Sequence, residues 1–121
     1  MEIKMLDGDF SVCKVADFSL TDMSADFVFI GKTDEENSLV CPTESVPANT
    51  TARDDGWRTM RIQGVLDFSL IGILAKISGI LAEHGIGIVV ISTYNTDYIL
   101  IKAENSARAA DALTAAGYAI I

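Results

Sequence analysis

The spacing of the apolar residues after Trp57 changes repeatedly between a strand-like and a helix-like period, and this order constrains the fold more than any other feature of the chain. Trp57–Gly64 alternates between polar and apolar residues, which predicts a half-buried strand. From Leu70 to His84 the apolar residues recur every three or four positions, which predicts a helix with one buried stripe. Ile86–Ser92 is short, apolar and rich in β-branched residues, which predicts a buried strand.

The rest of the C-terminal half continues this order with a turn, a strand, a helix and a last strand. Thr93–Thr96 is typical of a turn, and Asp97–Ala103 alternates as a strand does. Ser106 is placed to cap a second helix, Ala107–Ala116, and Tyr118–Ile121 completes the series as a strand. The order β-α-β-β-α-β predicts an α+β, ferredoxin-like unit, in which two helices cover one face of a four-stranded antiparallel sheet.

The N-terminal half has short strand-like runs and no convincing helical period, although Asp17–Asp26 has room for one short helix. The predicted strands are Glu2–Leu6, Phe10–Val15, Phe27–Lys32 and Ser38–Cys41. Pro42–Asp55 is polar and predicts a loop. We therefore expect two parts, residues 1–56 and 57–121. The first is a β-rich, reduced copy of the second and is packed on it, although no sequence repeat establishes the copy.

The charge of the chain disfavours two classes of partner, nucleic acids and anionic membranes. Its 17 acidic and 9 basic residues give a formal charge of −8, which repels phosphate backbones and anionic membrane surfaces. No apolar run reaches the ~18 residues of a membrane-spanning helix, so no membrane partner is expected. The N-terminal residues lack a basic and then apolar leader, which makes the cytoplasm the expected location.

The reactive side chains do not form a pattern that indicates an enzyme, a metal site or a cofactor. Cys13 and Cys41 are far apart in sequence, and His84 is the only histidine, whereas a structural zinc site needs about four such ligands. Two reduced, buried thiols are the expected state of the cysteines. The chain has neither a G-x-S-x-G elbow nor a glycine-rich phosphate loop, so we expect no catalysis and no cofactor.

One long segment resembles a known family. Gly64–Lys102, and above all ISTYNTDYILI at Ile91–Ile101, resembles the ACT domain of the aspartate-kinase-related, CASTOR-like group. SLVCP at Ser38–Pro42, ahead of GWR at Gly56–Arg58, is similar to small proteins made of two ACT-like halves. The resemblance implies binding of a free amino acid at a junction between ACT units, often in a homodimer. Because no catalytic domain follows Ile121, an enzyme regulated in trans is the expected partner.

An amino-acid site needs donors for the ligand carboxylate and acceptors for its ammonium group. The predicted loop between the first strand and the first helix offers backbone amides near the helix start, where anions are favoured, and Leu66, Asp67 and Phe68 are its candidates. The Asp67 side chain has three interpretations: it caps the helix, accepts the ligand ammonium, or is simply exposed.

The resemblance supplies the most specific site residues. In the related family the acidic residue of an S-T-aromatic-x-x-D pattern contacts the ligand. Ser92, Thr93, Tyr94 and Asp97 match that pattern in order. A carboxylate at Asp97 can hold an ammonium or a cationic side chain by charge-assisted bonds. The alternative is that Asp97 accepts the turn amides of Asn95 or Thr96.

The N-terminal half contributes Ser38 and Val40 if its strand pairs edge to edge with the other half. A competing interpretation of the whole chain is a structural module that dimerises and binds no small molecule, since ACT-like folds can keep their packing after losing a ligand. Substitution of Asp97 separates the two interpretations, because it alters ligand binding in only one of them.

Overall fold

The computed structural model describes residues 1–64 and 72–121, and these divide into two compact units. The large unit consists of Met1–Asp7 and Arg58–Ile121, and the small unit is Gly8–Trp57. The first seven residues therefore belong with the C-terminal part of the chain. The assignment of residues 1–56 and 57–121 as two ACT units remains a prediction.

The large unit contains five strands and two helices among the described residues. They are β1 (Glu2–Met5), the end of β5 (Thr50–Ile62), α1 (Ile73–Glu83), β6 (Ile88–Ser92), β7 (Asp97–Lys102), α2 (Ser106–Ala115) and β8 (Ala119–Ile120). A 3-10 turn, Ala103–Asn105, leads into α2. No helix in residues 1–64 and 72–121 is long and apolar enough to cross a membrane.

The strand order of the large unit, β6-β7-β5-β1-β8, is ferredoxin-like with one addition. A βαββαβ unit alone would place β8 directly beside β5, but β1 lies between them. Ile3 of β1 pairs antiparallel with Ile62 of β5 and parallel with Ile120 of β8. The predicted α+β, ferredoxin-like fold is confirmed, and the N-terminal strand completes its sheet.

The core of the large unit lies between the helices and one face of its sheet. Ile77 and Leu81 of α1 and Leu113 of α2 have no exposed surface. Buried residues of β1, β5 and β7 complete this cluster: Ile3, Met60, Ile62, Ile99 and Ile101. Full burial of each such aliphatic side chain contributes roughly 1.5–3 kcal/mol to the free energy of unfolding. These contacts therefore determine how both helices pack on the sheet.

The small unit has the strand order β3-β4-β2-β5, and all its pairs are antiparallel. Its strands are β2 (Phe10–Val15), β3 (Phe29–Lys32), β4 (Asn37–Pro42) and the first part of β5. The loop predicted as far as Asp55 was wrong, because β5 already begins at Thr50. Pairing with β2 makes this polar stretch a strand, and no apolar pattern signals it.

The short helix allowed for at Asp17–Asp26 does not form. Two Asp-x-Ser turns occupy this segment, in which the amides of Ser19 and Ser24 donate to Asp17 and Asp22 at 2.9 and 3.0 Å. Aspartate side chains compete in this way with the backbone bonds of a helix.

The small unit repeats a hairpin of the large unit at an interval of sixty residues. The strand β4 corresponds to β7, and the 3-10 turn Thr43–Ser45 that follows β4 corresponds to Ala103–Asn105. The two strands also have the same sequence of buried and partly exposed positions. The β3–β4 turn closes with a bond from Thr33 N to Glu36 O, and the β6–β7 turn with one from Thr93 N to Thr96 O. The small unit thus repeats this hairpin and the 3-10 turn that follows it, and it contains no α-helix.

The helix ends differ from the predictions in detail. The N-cap residue of α1 is Gly72, with φ at 85°, whereas the predicted start at Leu70 lies outside the described residues. The predicted capping bond of Ser106 was wrong, because its hydroxyl donates to the Ala103 carbonyl at 2.9 Å. The preceding 3-10 turn brings that carbonyl within reach of the serine side chain.

Candidate functional site

The candidate site is the end of the β6–β7 hairpin in the large unit. Ser92 and Asp97 form the last pair of the two strands, and Thr93–Thr96 connects them. Thr93 closes the turn twice, with its amide at 2.9 Å and its hydroxyl at 3.0 Å from the Thr96 carbonyl oxygen. The predicted turn is therefore well defined, and it fixes the position of the aspartate that follows it.

Within the described residues, Asp97 is bonded to a hydroxyl group. Ser92 Oγ donates to Asp97 Oδ1 at 2.5 Å. The Thr96 amide, one of the two turn donors considered for Asp97, instead lies 3.4 Å from Thr93 Oγ1. The Ser92 hydroxyl thus orients the carboxylate through one of its two oxygens.

The direction of the Asp97 side chain follows from strand geometry. Successive side chains of a strand point to opposite faces, so Asp97 shares a face with Ile99 and Ile101. Both isoleucines are fully buried in the core beneath the helices. Asp97 is partly exposed at the end of this row, so its carboxylate lies where the helix-covered face of the sheet opens to solvent.

A buried hydrogen bond joins the turn to the end of β5. Thr96 is 6% exposed, and its hydroxyl donates to the Ile62 carbonyl oxygen at 2.6 Å. This bond fixes the hairpin end beside the point where β5 ends. The sequence predicts a ligand-binding loop after this strand. Its three candidate residues, Leu66, Asp67 and Phe68, lie outside the described residues.

The structure brings together only part of the predicted site. Ser92 and Asp97 are bonded, and Thr93 and Tyr94 lie in the same turn, where Tyr94 is 81% exposed. Ser38 and Val40 belong to the small unit, in which β4 pairs with β2 on one side and β3 on the other. Val40 is 6% exposed. A ligand contact by either residue remains a prediction.

Sequence reasoning missed a cavity in the large unit. It has a volume of about 380 Å³ and is lined by Met1, Gly72, Ile73, Lys76, Ala116, Gly117 and Tyr118. The Lys76 ammonium lies 6.0 Å from the centre of the Tyr118 ring. This volume is within the range of small-ligand sites, and the lysine would suit an anionic group. Only the chain fold joins these residues, so no local sequence pattern signals the cavity.

Comparison with known proteins gives the family. Residues 52–115 match the ACT domain. The protein Atu0741 of Agobacterium tumefaciens is 31% identical, with a TM-score of 0.87 over 99% of this chain and 91% of that chain. VC0802 of Vibrio cholerae, described as a possible transport protein, is 23% identical, with a TM-score of 0.72 over 93% and 87% of the two chains.

An enzyme subunit has the same fold at lower identity. The regulatory subunit of aspartate kinase from Thermus thermophilus is 14% identical, with a TM-score of 0.66 over 97% of both chains. No curated protein matches the sequence. Membership of the finer CASTOR-like group stays a prediction. The match over residues 52–115 covers more than half of the chain and includes the whole β6–β7 hairpin, and the chain therefore belongs to the ACT domain family.

Proposed function

We propose that this chain is a regulatory module of two ACT-like units that binds a free amino acid and has no catalytic activity of its own. The observation that supports it is the Asp97 carboxylate, held by Ser92 at the open end of the helix-covered sheet face. A carboxylate with one oxygen oriented by a hydroxyl offers the other to the ligand ammonium group.

Groups near Asp97 are proposed to contact the remaining parts of the ligand. Thr93 and Tyr94 border the carboxylate in the turn and supply polar contacts and an aromatic wall. The backbone amides of Leu66, Asp67 and Phe68, in the part of the sequence that precedes α1, are the proposed donors to the ligand carboxylate.

The module acts as a homodimer on an enzyme in trans, in the cytoplasm. In residues 1–64 and 72–121, β6 pairs with β7 alone, so its other edge is open. Val90 in this strand is 37% exposed. An apolar strand with an open edge is a template for pairing with a second copy. A ligand at the hairpin end, which terminates the same strand, is placed to favour or oppose this pairing.

The test is a thermal-shift screen of the twenty amino acids with the wild-type chain and two variants. Asp97→Asn keeps the shape of the side chain and removes its charge, whereas Asp111→Asn makes the same change at an exposed position on α2. A ligand present at 100 times its Kd raises the free energy of unfolding by about 2.7 kcal/mol, which raises the Tm by several degrees. We expect a shift with one or a few amino acids in wild type and Asp111→Asn, and its loss in Asp97→Asn.

Lys76→Gln, screened in parallel, distinguishes the hairpin site from the cavity. If Lys76→Gln loses the shift and Asp97→Asn keeps it, the ligand binds in the cavity and the assignment to Asp97 is wrong. If no amino acid shifts the Tm of the folded wild-type chain at millimolar concentration, the alternative holds: a structural ACT module that dimerises through its open strand edge and has no small-molecule ligand.

A further inference from the structure

The two hairpins related by the sixty-residue interval allow a position-by-position comparison of the candidate site with its copy. Asn37 stands where Asp97 stands, and each is the first residue of its strand. Lys32 is the residue paired with Asn37, as Ser92 is with Asp97. Thr33 closes its turn with the same amide and hydroxyl bonds to a carbonyl that Thr93 makes. The backbones are thus equivalent, and the side chains at the two key positions differ.

The side chain of Asn37 already has a structural partner. Its Nδ2 group donates to the Ala16 carbonyl oxygen at 3.0 Å. Ala16 follows β2 and begins the segment that replaces a helix in the small unit, and its amide donates to the Asn49 carbonyl oxygen at 3.1 Å. The Asn37 side chain therefore connects the start of this irregular segment to β4.

The charges at the N-terminal hairpin also oppose an ammonium ligand. An asparagine amide carries no charge, and the paired Lys32 is itself a cation. Three acidic residues, Asp34–Glu36, lie in the turn, but all three are exposed. Ion pairs at fully solvated positions contribute little, so these carboxylates do not replace a carboxylate at the strand end.

We infer that the chain has one amino-acid site, at the C-terminal hairpin, and that its N-terminal copy is a structural hairpin in which Asn37 fastens the segment after β2. This inference rests on the proposed function and adds to it the number of sites: at most one ligand is bound per chain.

The repeat itself provides matched variants for the test. We would titrate the chain by calorimetry with the amino acid that gives the largest thermal shift in the screen. The equivalent pairs are Asn37→Ala with Asp97→Asn, and Lys32→Ala with Ser92→Ala. We expect saturation at no more than one molecule per chain. Asn37→Ala should lower the Tm of the free chain by a few degrees and leave the Kd unchanged within about twofold, while Asp97→Asn should weaken binding at least tenfold.

The outcomes separate this inference from the proposed function. Two molecules per chain, or half the binding capacity in Asn37→Ala, would overturn the single site while leaving amino-acid binding intact. If Asn37→Ala does not fold, Lys32→Ala still decides the question: unchanged capacity and affinity support one site, and a lost fraction of sites contradicts it. An absence of binding by all twenty amino acids would overturn the proposed function and the single site together.

Discussion

At the scale of single residues, the candidate site depends on one short bond. Ser92 Oγ and Asp97 Oδ1 are 2.5 Å apart and cross-strand neighbours, so the serine limits the orientations of the carboxylate. A carboxylate held in one orientation binds a ligand with less loss of side-chain entropy than a freely rotating one. In the proposed site, Ser92 is therefore a positioning residue, and Asp97 is the proposed contact with the ligand.

Replacing Ser92 by alanine should weaken amino-acid binding less than replacing Asp97 does. Loss of a net hydrogen bond of about 0.5–1.5 kcal/mol predicts a two- to tenfold rise in Kd, measured by calorimetry. Ser92→Thr keeps the hydroxyl and should bind like wild type. Equal weakening in Ser92→Ala and Ser92→Thr would mean that the hydroxyl has no positioning role and that the loss arises from changed packing at the strand end.

The two cysteines of the small unit should lower the stability of the protein in alkali. Both are buried and reduced, as the sequence predicted. Burial raises the pKa of the Cys41 thiol to about 11, with a further increase from the neighbouring Cys13, and burial also raises the pKa of Cys13. The folded state thus holds protons that the unfolded state releases above its ordinary thiol pKa of about 9.

Stability should therefore fall as the pH rises from about 9 to about 11 and should show no contribution from these thiols below that range. For Cys41 the loss is on the order of 2 kcal/mol, measured by urea unfolding at several pH values. Cys41→Ala should lower stability at neutral pH and show a shallower alkaline decline. A decline of the same slope in the variant would assign it to other groups.

At the scale of elements, the sequence predicted the helix, strands and turn whose formation depends on local residue spacing. Helix α1, strands β6 and β7 and the turn between them follow from apolar spacing and turn residues. The first part of β5 was missed, because Thr50–Asp55 is polar on both faces and becomes a strand only by pairing with β2. The place of β1 between β5 and β8 was missed for the same reason, since strand order is set by partners distant in sequence.

The candidate site was likewise predictable only where its residues are contiguous in sequence. The resemblance supplied Asp97 and its turn, which are contiguous in sequence. It gave no sign that Ser92 holds the carboxylate or that Thr96 fastens the turn to β5, since both contacts depend on strand register and tertiary position. The sequence did not reveal the repeated hairpin, because the two turns, TDEEN and TYNTD, have few residues in common although they share their backbone bonds.

The bond between Thr96 and β5 should be the main attachment of the hairpin end. Thr96→Val has nearly the same shape but leaves the buried Ile62 carbonyl oxygen without this donor, which costs about 1–3 kcal/mol. The Tm should fall by several degrees, whereas Thr96→Ser keeps the hydroxyl and should lose less. Equal losses in the two variants would mean that the methyl group, and not the hydrogen bond, holds the turn.

At the scale of the whole molecule, the negative charge is concentrated in one unit. The small unit has ten of the 17 acidic residues and three of the nine basic ones, a formal charge of −7, and the remaining residues sum to −1. Like charges on a compact domain repel one another and oppose its folding, and salt screens this repulsion. Electrostatic destabilisation should therefore be a property of the small unit.

Salt should accordingly stabilise the two units unequally. Hydrogen exchange at about 10 mM and about 500 mM sodium chloride reports the opening of each strand separately. We expect the amides of β2 and β4 to gain more protection with salt than those of β7. The double variant Glu35→Gln and Glu36→Gln removes two charges from the small unit, so at low salt it should reproduce part of the gain. A salt effect of equal size in β4 and β7, unaltered in the double variant, would show that the concentration of charge in Gly8–Trp57 does not limit stability, and that salt acts through general effects on the folded chain.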